Sequence, residues 1–295
     1  MKQNNQRKKI WLILAMVFLL AAIISGGIWL HEYRVQMRAQ EEREELTELV
    51  NNVPEETEST ASPEPPAETA TPEPEPMKEW KDYTLEEKYQ AYLDTYGIEV
   101  PEKNLDFEEL RETVNSDIYA WIYVPGTNVD DPVVQHPTDD AYYLNYNLDG
   151  SKGYPGGIYT EPSCNSKDFS DRMTVIYGHN MKNGKGFGTL HNFEDSAFFD
   201  ENRYIYIYLP DDIKVYEIFA AYEGSNNHII YGHEWDDTSW VQYLSDTLLV
   251  DGKKDNRLDS YEFQSDDLVL TLSTCVRNVP NKRYLVQGVL LNEAR

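Results

Sequence analysis

Eight short runs of β-branched, aromatic and aliphatic residues lie between Ile118 and Leu290, separated by turn signals, and they constrain the fold more than any other feature. They are Ile118 to Val124, Pro132 to Gln135, Gly157 to Thr160, Met173 to Tyr177, Arg203 to Leu209, Lys214 to Tyr222, Leu268 to Thr274 and Tyr284 to Leu290. Pro125-Gly126, Asn183-Gly184 and Pro210-Asp211-Asp212 break the chain between runs. Gly supplies positive φ, Pro withdraws an N–H, and Asp bonds its own backbone. So many short strands leave unpaired edges unless the sheet closes on itself. The expectation is a mainly β fold: an eight-stranded β-barrel, closed or nearly so, with N-terminal helices and a helix in the connection before the cysteine strand. Leu85 to Tyr96 and Leu105 to Val114 read as the N-terminal helices. In the second, Phe107, Leu110 and Val114 fall on one helical face, with Asn104 as the expected N-cap. Asp140 to Tyr146 and Thr238 to Val250 read as helices inserted among the strands.

The N-terminal segment obeys different physics. Lys2, Arg7, Lys8 and Lys9 precede an uncharged stretch from Ile10 to Leu30. As a helix it is about 30 Å long, enough to span the hydrocarbon core. A cleaved signal peptide has a shorter apolar core, although Ala21-Ala22 and Ser25-Gly26-Gly27 supply small residues for one. We expect residues 1–9 as a cytoplasmic basic tail, 10–30 as a transmembrane anchor, and the bulk of the chain outside the cell. Residues 31–50 are rich in Glu, Arg, Gln and Leu, a charged stalk. Residues 51–78 are dominated by Pro, Glu, Thr, Ser and Ala, which cannot build a core and make a spacer. The catalytic domain is expected over 79–295.

A formal net charge of −26 repels nucleic-acid phosphates, which excludes nucleic acid as a main partner. The two cysteines, Cys164 and Cys275, exclude a disulfide scaffold, though one Cys164–Cys275 bridge stays formally open. Cys164 sits in a loop-like segment and reads as incidental. The acidic residues lack metal-ligand spacing, and Asn183 to Gly188 lacks the Lys-Ser/Thr of a phosphate loop, so no metal and no cofactor is expected.

Chemistry concentrates at three run ends. Asp267 to Leu272 leads into Thr271-Leu272-Ser273-Thr274-Cys275, which delivers a thiol at a strand end. Arg283 opens the next run, Tyr284 to Leu290. Upstream, Thr174 to Tyr177 ends in Gly178-His179-Asn180. Acyl transfer by a thiol needs a thiolate, a proton for the leaving amine, and a partner for the oxyanion. Taken alone, an isolated Cys is more often a core residue and a lone His more often structural.

Together these segments resemble the sortases, and class B sortases of Gram-positive bacteria in particular. The resemblance rests on Tyr177-Gly178-His179-Asn180-Met181, Thr271 to Cys275 and Arg283-Tyr284-Leu285-Val286. Asn115-Ser116-Asp117, Trp121-Ile122, Val124 to Asn128, Tyr143-Leu144-Asn145 and the helix before the cysteine strand extend it over roughly residues 105 to 292. It implies a sortase-like barrel and a membrane-anchored cysteine transpeptidase that cuts a C-terminal sorting signal after Thr. The Thr carbonyl then passes to an amine of a cell-wall precursor or a pilin. It implies Cys275 as nucleophile, His179 as general acid and base, and Arg283 as oxyanion and substrate partner, in preference to Arg277. Ser273 and Thr274 precede the nucleophile and read either as lining the substrate groove or as ordinary strand packing, while Asp130 and Val134 fall where class B enzymes contact the sorting peptide, although Asp130-Asp131-Pro132 replaces a family pattern of Asn or an aromatic. Class B enzymes are not expected to need calcium. His31, His136, His191, His228 and His233 match no motif and read as surface or structural. Two other readings use the same features: a cysteine peptidase that passes the acyl group to water, and a non-catalytic tethered module that binds the cell wall.

Overall fold

The computed structural model describes residues 2–52, 80–231 and 233–292, with the side chains of 2–10, 12–15 and 17 outside that description. In chain order the elements are α1 (Lys2–Asn51), a 3₁₀ turn (Trp80–Asp82), α2 (Leu85–Tyr96), α3 (Phe107–Thr113), β1 (Ile118–Val124), β2 (Val129–Val134), α4 (Tyr142–Asn145), β3 (Ile158–Tyr159) and β4 (Met173–Tyr177). A 3₁₀ segment (Gly188–Glu194), α5 (Ser196–Glu201), β5 (Tyr204–Leu209), β6 (Asp212–Ser225), α6 (Asp237–Thr247), β7 (Asn256–Arg257), β8 (Val269–Cys275) and β9 (Lys282–Leu290) complete it.

The strands run β5-β1-β2-β3-β4-β8-β9-β6, and β5 pairs with β6 to close an eight-stranded mixed barrel. The pairs β2–β3 and β4–β8 are parallel and the rest antiparallel. β6 closes the ring because of its length: Asp212 to Glu217 pair with β5, and Tyr216 to Ser225 pair with β9. An irregularity between Ile218 and Ala220 marks the bend between these roles. β7 adds to β6 outside the ring.

Period-two alternation sorts the side chains. Ala120, Ile122 and Val124 of β1, Ile176 of β4, Leu270 and Leu272 of β8, and Tyr284 and Val286 of β9 fill the barrel core. Their neighbours Trp121, Tyr206 and Tyr208 face outward and are covered by α2 and α3, with Tyr92, Phe107 and Leu110. On another outer face α6 seats Trp240 and Leu244 against Val175, Phe219 and Val289. Trp240 is fully buried, which contributes about 4–6 kcal/mol of transfer free energy, and its Nε1–H donates to the Asp267 carbonyl at 2.9 Å.

The second N-terminal helix starts at Phe107, not Leu105, and its cap is Asp106, whose carboxylate accepts from the N–H groups of Glu108 and Glu109. Asn104, the expected cap, instead donates its N–H to the Val50 carbonyl at the end of α1, a tertiary contact that removes it from the helix. β2 begins at Val129 because Asp130 and Asp131, which break the apolar pattern, find cationic partners in Lys103 and Arg43. The third helix contracts to Tyr142–Asn145. α6 runs from Asp237 to Thr247, capped by Asp236 and Ser239 in a reciprocal box. The 3₁₀ segment and α5 are further elements that carry no strong periodic signal.

α1 is continuous through the expected anchor and stalk. Among the described residues no helix is long and apolar enough to cross a membrane; the side chains at 10, 12–15 and 17, inside the expected anchor, lie outside the described residues. The expected spacer at 51–78 also lies outside them, apart from its first two positions. The stalk end of α1 docks on the barrel. Arg43, only 8% exposed, donates to the Gly156 carbonyl at 2.8 Å and sits 3.5 Å from the Asp131 carboxylate. Thr47 donates to the Asp130 carbonyl at 3.1 Å, and Glu44 pairs with Lys185 at 2.7 Å.

Candidate active site

Strand parity and register bring the three motifs together. Leu270 and Leu272 point into the barrel, so Ser273 and Cys275 fall on its outer face. Tyr284 and Val286 point inward, so Arg283 falls on the same outer face. Ile176 points inward, so Tyr177 faces outward, and His179 follows it just past the strand end. The parallel β4–β8 register pairs Tyr177 with Ser273, which carries His179 to the level of Cys275. The antiparallel β8–β9 register sets Arg283 directly opposite Cys275. His179, Cys275 and Arg283 line a single cavity of about 230 Å³, with Ser273, Thr274, Tyr159, Tyr177 and Leu144 among its walls. Cys275 is exposed and free, and Cys164 is free as well, so the formal Cys164–Cys275 bridge is not formed.

The turn after β4 is built around His179. Its Nε2–H donates to the Leu144 carbonyl at 2.9 Å, and its ring meets Tyr154 edge-on at 4.8 Å. Gly156 has φ +69°, and a Cβ there would lie 2.8 Å from the Tyr143 carbonyl and 3.0 Å from His179 Cδ2. Only glycine lets this backbone back the imidazole. Burial holds the His179 pKa below its ordinary value; the Leu144 hydrogen bond opposes that shift, and the Arg43 guanidinium adds to it. A mainly neutral imidazole at neutral pH follows. Arg283 is partly exposed and donates to the carbonyl of Lys282 at 3.2 Å.

The Cys275 strand end is fixed from behind. Asn180 Nδ2 donates to the Cys275 carbonyl at 2.8 Å, and His191 Nε2 lies 3.1 Å from the same oxygen and 2.9 Å from Asn180 Nδ2. His191 Nδ1 faces the Glu194 carboxylate at 2.7 Å, so Nδ1 carries a proton. Its ring stacks on Tyr284 at 4.8 Å. Read as surface or structural in the sequence, His191 packs beneath the residue that bears the thiol. The only hint was a glutamate three positions later in a segment without periodicity.

The other sequence-derived positions divide. Ser273 and Thr274 line the cavity, but Thr274 is buried and its Oγ1 donates to the Gly178 carbonyl at 2.8 Å. Asp130 is placed elsewhere: it accepts from Trp121 Nε1 at 2.6 Å and pairs with Lys103 at 2.9 Å, in the cleft beside α1. Val134 is fully buried in the core between barrel and helices. Neither belongs to the residues lining the cavity around Cys275.

The fold also assembles a set that spacing could not reveal. Ligand atoms of Glu161, Cys164 and His228 lie within 4.8 Å of one another. His228 Nδ1 accepts from the N–H groups of Ile230 and Tyr231 at 3.2 and 3.0 Å, so Nε2 holds the proton and donates to Glu161 at 2.5 Å. That occupies the nitrogen a metal would need, and the pair is a hydrogen-bonded dyad.

Comparison with known proteins agrees with this geometry. Residues 122–291 match the Sortase domain family. Sortase B of Listeria monocytogenes is 29% identical over 191 residues, spanning 63% of this chain and 75% of that protein. Sortase B of Staphylococcus aureus is 26% identical over 194 residues, spanning 65% and 75%. The crystal structure of Clostridium perfringens sortase B superposes with a TM-score of 0.56 at 29% identity, covering 63% of this chain and all of that one.

Proposed function

Because the chain belongs to the sortase family, with class B sortases as its relatives, we propose that this cysteine transpeptidase cleaves sorting signals after Thr through a thioacyl intermediate on Cys275. The observation that carries this reading is the shared cavity of Cys275, His179 and Arg283 on the outer face of the barrel. The thiol proton passes to His179 as Sγ attacks the Thr carbonyl and an S–C bond forms. Arg283, permanently charged, holds the developing oxyanion. His179 then gives its proton to the leaving amine as the C–N bond breaks. In the second half an incoming amine attacks the thioester, its proton goes to His179 and on to sulfur, and the C–S bond breaks. Because burial keeps His179 mainly neutral at neutral pH, it is in the form that accepts the thiol proton in the first half-reaction.

The uncharged stretch Ile10 to Leu30 behind a basic tail supports a single-pass anchor with an extracellular catalytic domain. Clients are secreted proteins that carry a sorting signal, and the acceptor is an amine of a peptidoglycan precursor or a pilin. The test uses the full-length chain in mild detergent, a sorting-peptide library, and a primary amine. A Cys275 adduct that is resolved into an amine-linked product is expected. Cleavage that never incorporates the amine would leave a hydrolytic peptidase, and no adduct at all would leave a binding module.

A further inference from the structure

The cavity that holds Cys275 is also lined by a carboxylate, Glu161, that neither the barrel nor the acyl-transfer chemistry requires. Among the described residues lining the cavity, Glu161 is the one acidic group. Its side chain is 15% exposed, and His228 holds it at 2.5 Å. The His228 ring is itself fixed, stacked on Tyr231 at 3.8 Å and bonded through Nδ1 to two backbone N–H groups. Asn226, Asn227, His228 and Ile229, in the loop after β6, line the same cavity.

Register gives the spacing. β3 and β4 are antiparallel, with Tyr159 opposite Tyr177. Glu161 lies two positions beyond Tyr159 in one direction, and His179 two positions beyond Tyr177 in the other. That is four strand steps, about 13 Å along the strands, and β3 lies two strands, about 10 Å, from the β8 that carries Cys275, so Glu161 is about 16 Å from the thiol end. Glu161 shares the outward parity of Tyr159, whose neighbour Ile158 points into the core. Burial raises the Tyr159 pKa, Glu161 adds to that rise and Arg283 opposes it, so the Tyr159 hydroxyl is within electrostatic reach of both charges.

An attacking amine must come within about 3–3.5 Å of the acyl carbon, so Glu161 is too far away to hold it. An extended peptide advances about 3.3 Å per residue, so in a chain bonded through its carbonyl to Cys275 the backbone of the third or fourth residue before the cleaved bond lies roughly 8–12 Å away, and a long side chain with its hydrogen bond spans the rest of the distance to Glu161. The part of the substrate that stays bound in the thioacyl state is the part N-terminal to that bond. The other side of the thiol must stay open to the acceptor.

We propose that Glu161, seated by His228, is a specificity determinant that selects a lysine or arginine three or four residues before the cleaved bond. The proposal rests on the transpeptidase reading. A pre-oriented carboxylate at a groove wall discriminates mainly by rejecting like charge and pairing with a cation.

The experiment acylates the full-length chain in mild detergent with peptides bearing Lys, Ala or Glu at each of those two positions. Intact-mass kinetics of the Cys275 adduct are the readout. The wild type is expected to favour Lys over Glu by at least about tenfold at one position. Glu161→Gln keeps the His228 hydrogen bond and should bring that ratio within about threefold, while Glu161→Lys should invert it. His228→Phe, which frees the carboxylate to rotate, should weaken the discrimination without abolishing acylation. Equal rates across the series in the wild type, or an unchanged ratio in Glu161→Gln, overturn this inference alone. Absence of any adduct with every peptide overturns the transpeptidase reading, and this inference with it.

Discussion

Cys275 and Arg283 are cross-strand partners at the loop end of the β8–β9 hairpin, on the outer face of the barrel. This pairing puts a guanidinium beside the thiol without any loop having to place it. A short connection, Val276 to Asn281, and the first residue of β9, Lys282, are all that separate them.

Removing either partner should therefore act on the chemistry and leave the fold intact. Cys275→Ala is expected to form no adduct with any sorting peptide. Arg283→Lys keeps a charge but loses the planar donor set, and kcat/KM should fall about 10²–10³-fold with the melting temperature unchanged. A decrease below tenfold in steady-state assays would remove Arg283 from the oxyanion role.

The lowered His179 pKa has a signed consequence. In the unfolded chain this imidazole titrates near about 6.5, and in the folded protein it titrates lower. Between those values the unfolded state binds more protons, so His179 makes stability fall as the pH drops from 7 through that window. Denaturant titrations should show a smaller loss between pH 7 and pH 5 for His179→Gln than for the wild type. A ring titration by NMR should place the midpoint below 6.5.

Arg43 and Asp131 tie α1 to the barrel through a nearly buried pair. Burial raises the Asp131 pKa, and the Arg43 guanidinium opposes that shift. Arg43→Met leaves a buried carboxylate alone and should cost about 3 kcal/mol at pH 7 in chemical denaturation. The cost should shrink at pH 5: with a raised folded pKa the folded state binds more protons than the unfolded one, so stability rises on acidification. Arg43→Met combined with Asp131→Asn should recover most of the loss, and simple additivity of the two would refute the coupling.

Gly156 tests the backing of His179. Alanine there meets a left-handed backbone and two contacts at 3.0 Å or less. A loss of about 1–2 kcal/mol in stability is expected from the backbone alone. A larger fractional fall in the acylation rate should accompany it as the ring is pushed. Unchanged acylation would show that His179 moves without consequence.

Much of the barrel was legible because its signals are local. Ile118 to Val124 and Met173 to Tyr177 are unbroken β-prone runs, and both strands match the runs that predicted them. Leu85 to Tyr96 carries its own capping box at Thr84 and Glu87, so α2 begins and ends where expected. The start of β2 was hidden because Asp130 and Asp131 look like loop residues until Lys103 and Arg43, distant in sequence, neutralise them. The short α5 and the 3₁₀ segment contain too few turns to show periodicity.

By itself, the sequence determined which residues alternate, where turns fall, and that a thiol, an imidazole and a guanidinium each stand at a strand end. Those properties follow from neighbours along the chain, through side-chain period and backbone sterics. Only the tertiary structure decided that these three ends meet on one outer face, that Asn180, held against His191, braces Cys275, that Asp130 bonds to the end of α1, and that Glu161 lines the same cavity. Strand order and register join positions about a hundred residues apart, and no local pattern encodes which edge will find which partner.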